Sequence, residues 1–420
     1  MHVSASRPVL SMLVAFFALG ATFSPALKAH PSQNEPIHNA DVATARQLQF
    51  SNLQYMGAFR VPAGYFGDPN GFGFGGTPIT YNPANNSLFV GSLNNMIAEV
   101  SIPTPAKSED VEAMAFAKVL QPFNDPTEGR LVRLSPGDLV NLGGLLVFNG
   151  KLYGTAYLYY DANGNQRASH YSRSLRLSQT SATSFLPVWQ PSLTGFVSGY
   201  LATIPQEWQA ALGGQAITGQ CCIPIVSRTS WGPAAFAWNP ADIGVRNPVP
   251  ATPLVYYTGD HSTLGSWDSS NSVYGGTTQM GGVALVAGTR TALFFGSNGA
   301  GAFCYGPGTD DSRLAGRPDG SGGNYCYDPI DLSKGPHAYP YTFQIWAYDL
   351  NDFAAVKAGT RQPWEIRPYA VWPLPLPFPY GVTLGGVGYD ARRQIVYLSQ
   401  LYADRDDEAY RPLIHALQVR

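Results

Sequence analysis

Hydrophobic and polar residues alternate in short runs along most of this chain, and the runs are separated by turn residues. Five segments share one frame: small residues with glycine, a short alternating run, a turn, then a second run. They are Gly76-Thr-Pro-Ile-Thr-Tyr-Asn-Pro with Leu88-Phe-Val-Gly-Ser, Gly143-Gly-Leu-Leu-Val-Phe-Asn-Gly with Leu152-Tyr-Gly-Thr, and Gly232-Pro-Ala-Ala-Phe-Ala-Trp-Asn-Pro with Leu254-Val-Tyr-Tyr-Thr. Gly281-Gly-Val-Ala-Leu-Val-Ala-Gly with Leu293-Phe-Phe-Gly-Ser, and Gly385-Gly-Val-Gly-Tyr-Asp-Ala with Ile395-Val-Tyr-Leu-Ser, complete the set. A third alternating run follows several of them, as in Ile97-Ala-Glu-Val-Ser-Ile, Ser174-Leu-Arg-Leu-Ser, Tyr341 to Leu350 and Leu413 to Val419.

Three or four antiparallel strands per unit, repeated, predict an all-β fold and a single β-propeller over residues 51–420. The frames recur at intervals of 67, 89, 49 and 104 residues. A blade takes about 40–50 residues, so the long intervals hold further blades or insertions. Six to eight blades fit, and seven is the expectation. The run Leu53-Gln-Tyr-Met-Gly-Ala-Phe-Arg-Val is expected to pair with the last strand and close the ring, removing its open edges. One short helix is predicted in an insertion, where Pro205 opens and Gly213 stops the segment Gln-Glu-Trp-Gln-Ala-Ala-Leu.

Composition sharpens this picture. The chain has 420 residues, with 45 glycines and 34 prolines, which suits many turns. Charged residues make up only 13% and the net charge is −2, so the clustered cations that nucleic acid requires are missing. The first 29 residues read as a cleaved signal peptide: Arg7 precedes an apolar run from Val9 to Leu19, too short for a membrane span, and small residues follow. Residues 30–50 read as a polar leader. The expected mature protein is a secreted or periplasmic monomer without a membrane span. Cys304 and Cys326 bracket a Gly- and Asp-rich loop that a disulfide would staple, whereas the adjacent Cys221 and Cys222 read as a vicinal disulfide or as thiols.

A repeat in register places equivalent loops on one face. The loops after the second strands carry Asn94, Asn95, Tyr159, His170, Tyr171, Asp260, His261, Asn298 and Tyr402, a set suited to binding polyhydroxylated ligands. His170 and His261 are the candidate acid–base groups. Arg228, set between apolar segments, is a candidate carboxylate grip or a structural ion pair. The spacing Asp161-x-Asn163-x-Asn165 is the first half of a calcium loop, and Asp310, Asp311 and Asp319 form an acidic loop, so calcium is the one candidate ion. Gly71-Phe-Gly-Phe-Gly-Gly76 is followed by a strand pattern and not by a helix, which excludes a dinucleotide site.

The frame resembles that of bacterial extracytoplasmic propellers with NHL-like repeats. The stretch Tyr159-Tyr-Asp-Ala-Asn-Gly-Asn-Gln-Arg-Ala-Ser-His170 is similar to propeller polysaccharide lyases of the ulvan-lyase kind. The resemblance implies β-elimination on uronate-containing glycans. His170 would then act as base or acid with Tyr200 or Tyr171 as partner, Arg228 would neutralise the carboxylate, and His261 would be the second histidine. Two other readings stand beside it: a glycan- or protein-binding propeller without chemistry, and a glycoside hydrolase using paired carboxylates drawn from Asp161, Asp260 and Asp404.

Overall fold

The computed structural model describes residues 44–259, 264–268, 273–378, 383–406 and 409–420. Residues 1–43, which hold the expected signal peptide and most of the expected leader, lie outside them, as do Asp260 and His261. The fold is all-β. The opening strand is β1 (Leu53–Arg60). The first sheet runs β2 (Ile79–Asn82), β3 (Ser87–Gly91), β4 (Ile97–Ser101) and β5 (Val119–Asn124). The second has β6 (Val140–Phe148), β7 (Lys151–Leu158) and β8 (His170–Ser174). The third has β9 (Leu201–Thr203), β10 (Ala216–Thr218), β11 (Ala235–Trp238) and β12 (Ala251–Val255).

The fourth sheet begins with β13 (Gln279–Leu285) and β14 (Thr291–Gly299). The chain then leaves it for a small sheet of β15 (Cys304–Thr309), β16 (Cys326–Tyr327) and β17 (Lys334–His337). It returns as β18 (Tyr341–Asp349) and β19 (Ala370–Pro373). The fifth sheet is β20 (Leu384–Asp390), β21 (Ile395–Arg405) and β22 (Tyr410–Val419), with β1 as its outer strand, registered from Leu53 opposite Val419 to Arg60 opposite Leu413.

The leading strands of the five sheets pack in cyclic order: β20 on β2, β2 on β6, β6 on β9, β9 on β13, and β13 on β20. Glycine permits that approach. A Cβ on Gly385 would lie 2.3 Å from Gly76 O, one on Gly281 would lie 2.3 Å from Gly385 O, and one on Gly143 would lie 2.0 Å from Ser198 O. Apolar residues of facing sheets fill the wedges between them, such as Val283, Phe294 and Trp346 against Tyr200 and Ile217.

Two expectations change here. Among the described residues five sheets pack in this order, against the seven blades expected of a propeller, and the long intervals are filled by loops, the small sheet and helices. The segment from Gly232 is not a leading strand: Ala235–Trp238 is the third strand of its sheet and Ala251–Val255 the fourth. It reads like a leading strand because β11 is buried along its whole length. The predicted helix is present as α1 (Gln206–Leu212), with Gly213 at φ +80° ending it. A second helix, α2 (Leu350–Lys357), was not foreseen; Asp349 caps it by accepting from the Asn351 amide. Both half-cystine pairs are bonded, Cys304 to Cys326 and Cys221 to Cys222.

Candidate functional site

Antiparallel order within each sheet decides which loops share an end of the sheets. First-to-second-strand turns, together with α1 and α2, leave at one end, where the two helices pack on each other. Second-to-third-strand loops and the connections between sheets leave at the other, and these are the long ones. That end also carries exposed aromatics: Tyr65, Phe66, Phe74, Tyr159, Tyr160 and Tyr410.

At this end a cluster forms where the fifth, first and second sheets meet. Asn95, from the β3–β4 loop, reaches to β6: its Oδ1 accepts from Leu142 N at 2.8 Å, and its Nδ2 donates to Val140 O at 3.2 Å and to Asn141 Oδ1 at 3.3 Å. Asn141 is registered opposite Tyr157 on the neighbouring strand. Tyr157 lies within electrostatic reach of Tyr159 and Tyr402, and burial pushes its phenol far above the ordinary tyrosine range. Tyr402 sits at φ +61°, with its carbonyl accepting from Arg405 Nε at 2.9 Å and its ring 6.3 Å from that of Phe74. Asn95 and Asn141 therefore meet between the first and second sheets over a Tyr157 that is only 5% exposed, while Tyr402 and Phe74 meet beside the fifth. Of the residues singled out in the sequence, Asn95, Tyr159 and Tyr402 lie at this end; Asn141 and Tyr157 were missed. The signal for Asn141 and Tyr157 was their place at the ends of paired strands.

Asn94 is near by but occupied with its own loop. Its Nδ2 donates to Asp68 Oδ1 at 2.7 Å and to Asn70 Oδ1 at 2.9 Å. Asn298 is 2% exposed, and its Oδ1 accepts from Thr278 at 2.7 Å.

The residues of the β-elimination reading are placed differently. His170 is wholly buried, with Nδ1 2.8 Å from the Ser169 hydroxyl, Nε2 3.0 Å from the Thr218 hydroxyl, and its ring edge-on to Trp238. Burial pulls it from 6.5 down to about 3, so it is a neutral core residue and not an acid–base group poised near neutrality. Tyr200 is 3% exposed; its hydroxyl donates to Ala234 O at 2.7 Å and accepts from Ala234 N at 3.0 Å. Tyr171 is buried between the first and second sheets against Phe185. Arg228 is at the loop-bearing end, where Nε donates to Asp161 O at 3.0 Å and Nη2 to Ala162 O at 2.6 Å. Neither of the two alternatives first offered for it, a grip on a ligand or a side-chain ion pair, describes those bonds, which go to backbone.

The carboxylates are also engaged. Asp161 turns inward and accepts from Asn165 N at 2.5 Å, which is a turn and not a calcium loop. Asp404 is fully buried between Arg60 and Arg411. Asp311 pairs with Arg313, and Asp319 accepts from Ser321. Among the described residues no three His, Cys, Asp or Glu side chains are grouped to hold a metal ion, and no helix is long and apolar enough to cross a membrane.

No protein-family model matches the chain, and no curated protein matches it. Among solved structures, a glycosyl hydrolase from Bacteroides ovatus is similar at 12% identity and a TM-score of 0.40, over 82% of this chain and 84% of that one.

Proposed function

We propose that the protein is an exported five-bladed β-propeller that binds a glycan at the loop-bearing end of its ring. The observation that carries the reading is the group of exposed and half-buried aromatics at that end, Tyr159, Tyr160, Tyr402, Phe74 and Tyr410. Aromatic faces stack on the apolar faces of sugar rings, and amides and phenols bond hydroxyls; both work without net charge. Cyclic packing of the five leading strands supports the propeller, and two disulfides suit an oxidising compartment.

Binding fits this geometry better than β-elimination or carboxylate-based hydrolysis does. His170 and Tyr200 have their polar atoms bonded inside the fold, and Asp161 and Asp404 are committed to a turn and to ion pairs. A panel of polysaccharides tests the reading, with binding measured by calorimetry and unsaturated products followed by ultraviolet absorbance. Binding without product formation, weakened about tenfold or more by Tyr159→Ala or Tyr402→Ala, is the expected result. Formation of unsaturated sugars would replace it with the lyase reading.

A further inference from the structure

The glycine-rich run from Gly71 to Gly76, which is not a dinucleotide site, ends a tightly wound loop of residues 64–76. Four overlapping backbone bonds coil it: Asp68 N to Tyr65 O at 2.8 Å, Gly71 N to Asp68 O at 3.0 Å, Gly73 N to Asn70 O at 2.9 Å, and Gly75 N to Phe72 O at 3.2 Å. Gly71 sits at φ +53°, and a Cβ there would lie 2.0 Å from Gly64 O, so the coil closes only without a side chain at that position. Asp68 is the one Asp, Glu, Lys or Arg of the loop, and it is turned inward. Its carboxylate accepts from Ser92 Oγ at 2.5 Å, from Asn94 Nδ2 at 2.7 Å and from Asn70 N at 2.8 Å. Phe72 roots the loop in the core, with its ring 4.6 Å from that of Phe123.

The coil displays three aromatic side chains, Tyr65, Phe66 and Phe74, with Tyr65 70% exposed. Phe66 and Phe74 hold φ of +46° and +57°, a left-handed backbone that a residue with a Cβ adopts only under strain. Both side chains stay part-exposed, so burial offsets that strain only in part. Strain of this kind collects where side chains meet ligands. Tyr402, at φ +61°, shares it. Phe74 is also locked to the fifth sheet. Its N–H donates to Tyr410 O at 2.7 Å, and its ring lies 5.6 Å from that of Tyr410 and 6.3 Å from that of Tyr402. Arg405 lies on Tyr410, with Cζ 5.0 Å from the ring centroid, and its Nε bonds Tyr402 O at 2.9 Å.

We infer that the loop of residues 64–76 is a stacking platform for an uncharged glycan, with Tyr65, Phe66 and Phe74 on the C–H faces of its sugars and Tyr402 and Tyr410 continuing the surface. The inference rests on the glycan reading for the ligand, and adds to it the element that makes contact and the charge class of the sugar. The loop turns no charged group toward a ligand, because Asp68 is enclosed by its three donors. Stacking therefore carries the recognition. A coil already fixed by its own hydrogen bonds has little freedom left to lose when a ligand binds.

Calorimetry with the mature protein tests it, using neutral, uronate-bearing and sulfated oligosaccharides of matched length at low and high sodium chloride. Neutral sugars should bind at least as tightly as charged ones, and their affinity should change less than about twofold between about 0.05 M and 0.5 M salt. Tyr65→Ala and Phe74→Gly should each weaken neutral-sugar binding about tenfold. A preference for charged sugars, or binding that falls steeply with salt, overturns the uncharged class.

A second readout needs no glycan. Phe74→Gly should melt at a higher temperature than Phe74→Ala, because glycine adopts φ +57° freely and alanine does not. Equal melting temperatures would show that the loop does not hold Phe74 in this form, and overturn the platform. Sugar binding that survives both Tyr65→Ala and Phe74→Gly but is lost in Tyr159→Ala overturns the platform alone and leaves the glycan reading standing. Binding by none of the oligosaccharides overturns both. Tyr65 is exposed, so its substitution leaves the fold intact and keeps the test decisive should the Phe74 variants fail to fold.

Discussion

Arg60 and Asp404, 344 residues apart in the chain, meet as a bidentate pair inside the fifth sheet, with Nε and Nη2 each 3.0 Å from a carboxylate oxygen. The pair joins the first strand to the last hairpin, and Arg411 bonds the same carboxylate from Nε at 3.3 Å. Arg60→Met should cost about 3 kcal/mol, the lower end for breaking a buried pair, since Arg411 still attends Asp404. The double change Arg60→Met with Asp404→Leu should cost less than Asp404→Leu alone. Urea unfolding of the three variants checks this, and additive losses would show that the pair does not couple the strands.

Acid should destabilise the protein early, through two histidines. Burial pulls both His170 and His415 from 6.5 to about 3. The unfolded chain takes up protons at these sites as pH falls through about 6.5, but the folded chain does so only near pH 3. Their contribution is therefore intact above about pH 6.5 and is lost progressively as pH falls toward 3. His415 bonds Tyr55 and Gln400, so His415→Gln keeps a polar side chain there while removing the titration. The variant should show a shallower fall in unfolding midpoint between about pH 7 and pH 5, by close to one proton. An unchanged slope would mean that His415 is already protonated in the fold.

The contact between leading strands sets a limit on side-chain size. Gly385→Ala would place a methyl group 2.3 Å from the Gly76 carbonyl oxygen, a backbone atom that cannot yield without moving the first sheet. We expect a loss of about 3 kcal/mol or more. Gly335, in β17, has nothing within 4 Å of a built Cβ, and Gly335→Ala should stay within about 0.5 kcal/mol of wild type. Chemical denaturation midpoints of the pair give the comparison.

The disulfide between Cys304 and Cys326 closes a loop with a sequence separation of 22. Cys326→Ala should loosen the small sheet by about 3 kcal/mol, the chain-entropy value for a loop of this size. Limited proteolysis should then cut within residues 310–324, while the five main sheets keep their melting temperature. Cleavage equal to that of wild type would mean that the bond between His337 Nδ1 and Asp328, at 2.8 Å, holds the sheet without the cross-link.

The sequence by itself determined the strand-rich class, the pairing of Leu53–Arg60 with the final strand, the helix between Pro205 and Gly213, and the bond from Cys304 to Cys326. Each of these is written locally, as period-two alternation, as a proline start with a glycine stop, or as two cysteines around a polar loop. The number of sheets was not local information. β9 and β10 are three residues long, too short for alternation to register, and the fully buried β11 carries no polar face to set its phase.

The site divides the same way. Tyr159 and Tyr402 were legible as aromatic loop residues, but the direction of a side chain at a strand end was not. His170 faces inward because Thr218 and Trp238 of the neighbouring sheet offer it a hydrogen bond and an aromatic wall. Arg228 faces outward because the Gly164 turn leaves room for its guanidinium on the surface. Only tertiary packing brings those partners to them, and so only the tertiary structure decided which of the candidate residues could meet a ligand.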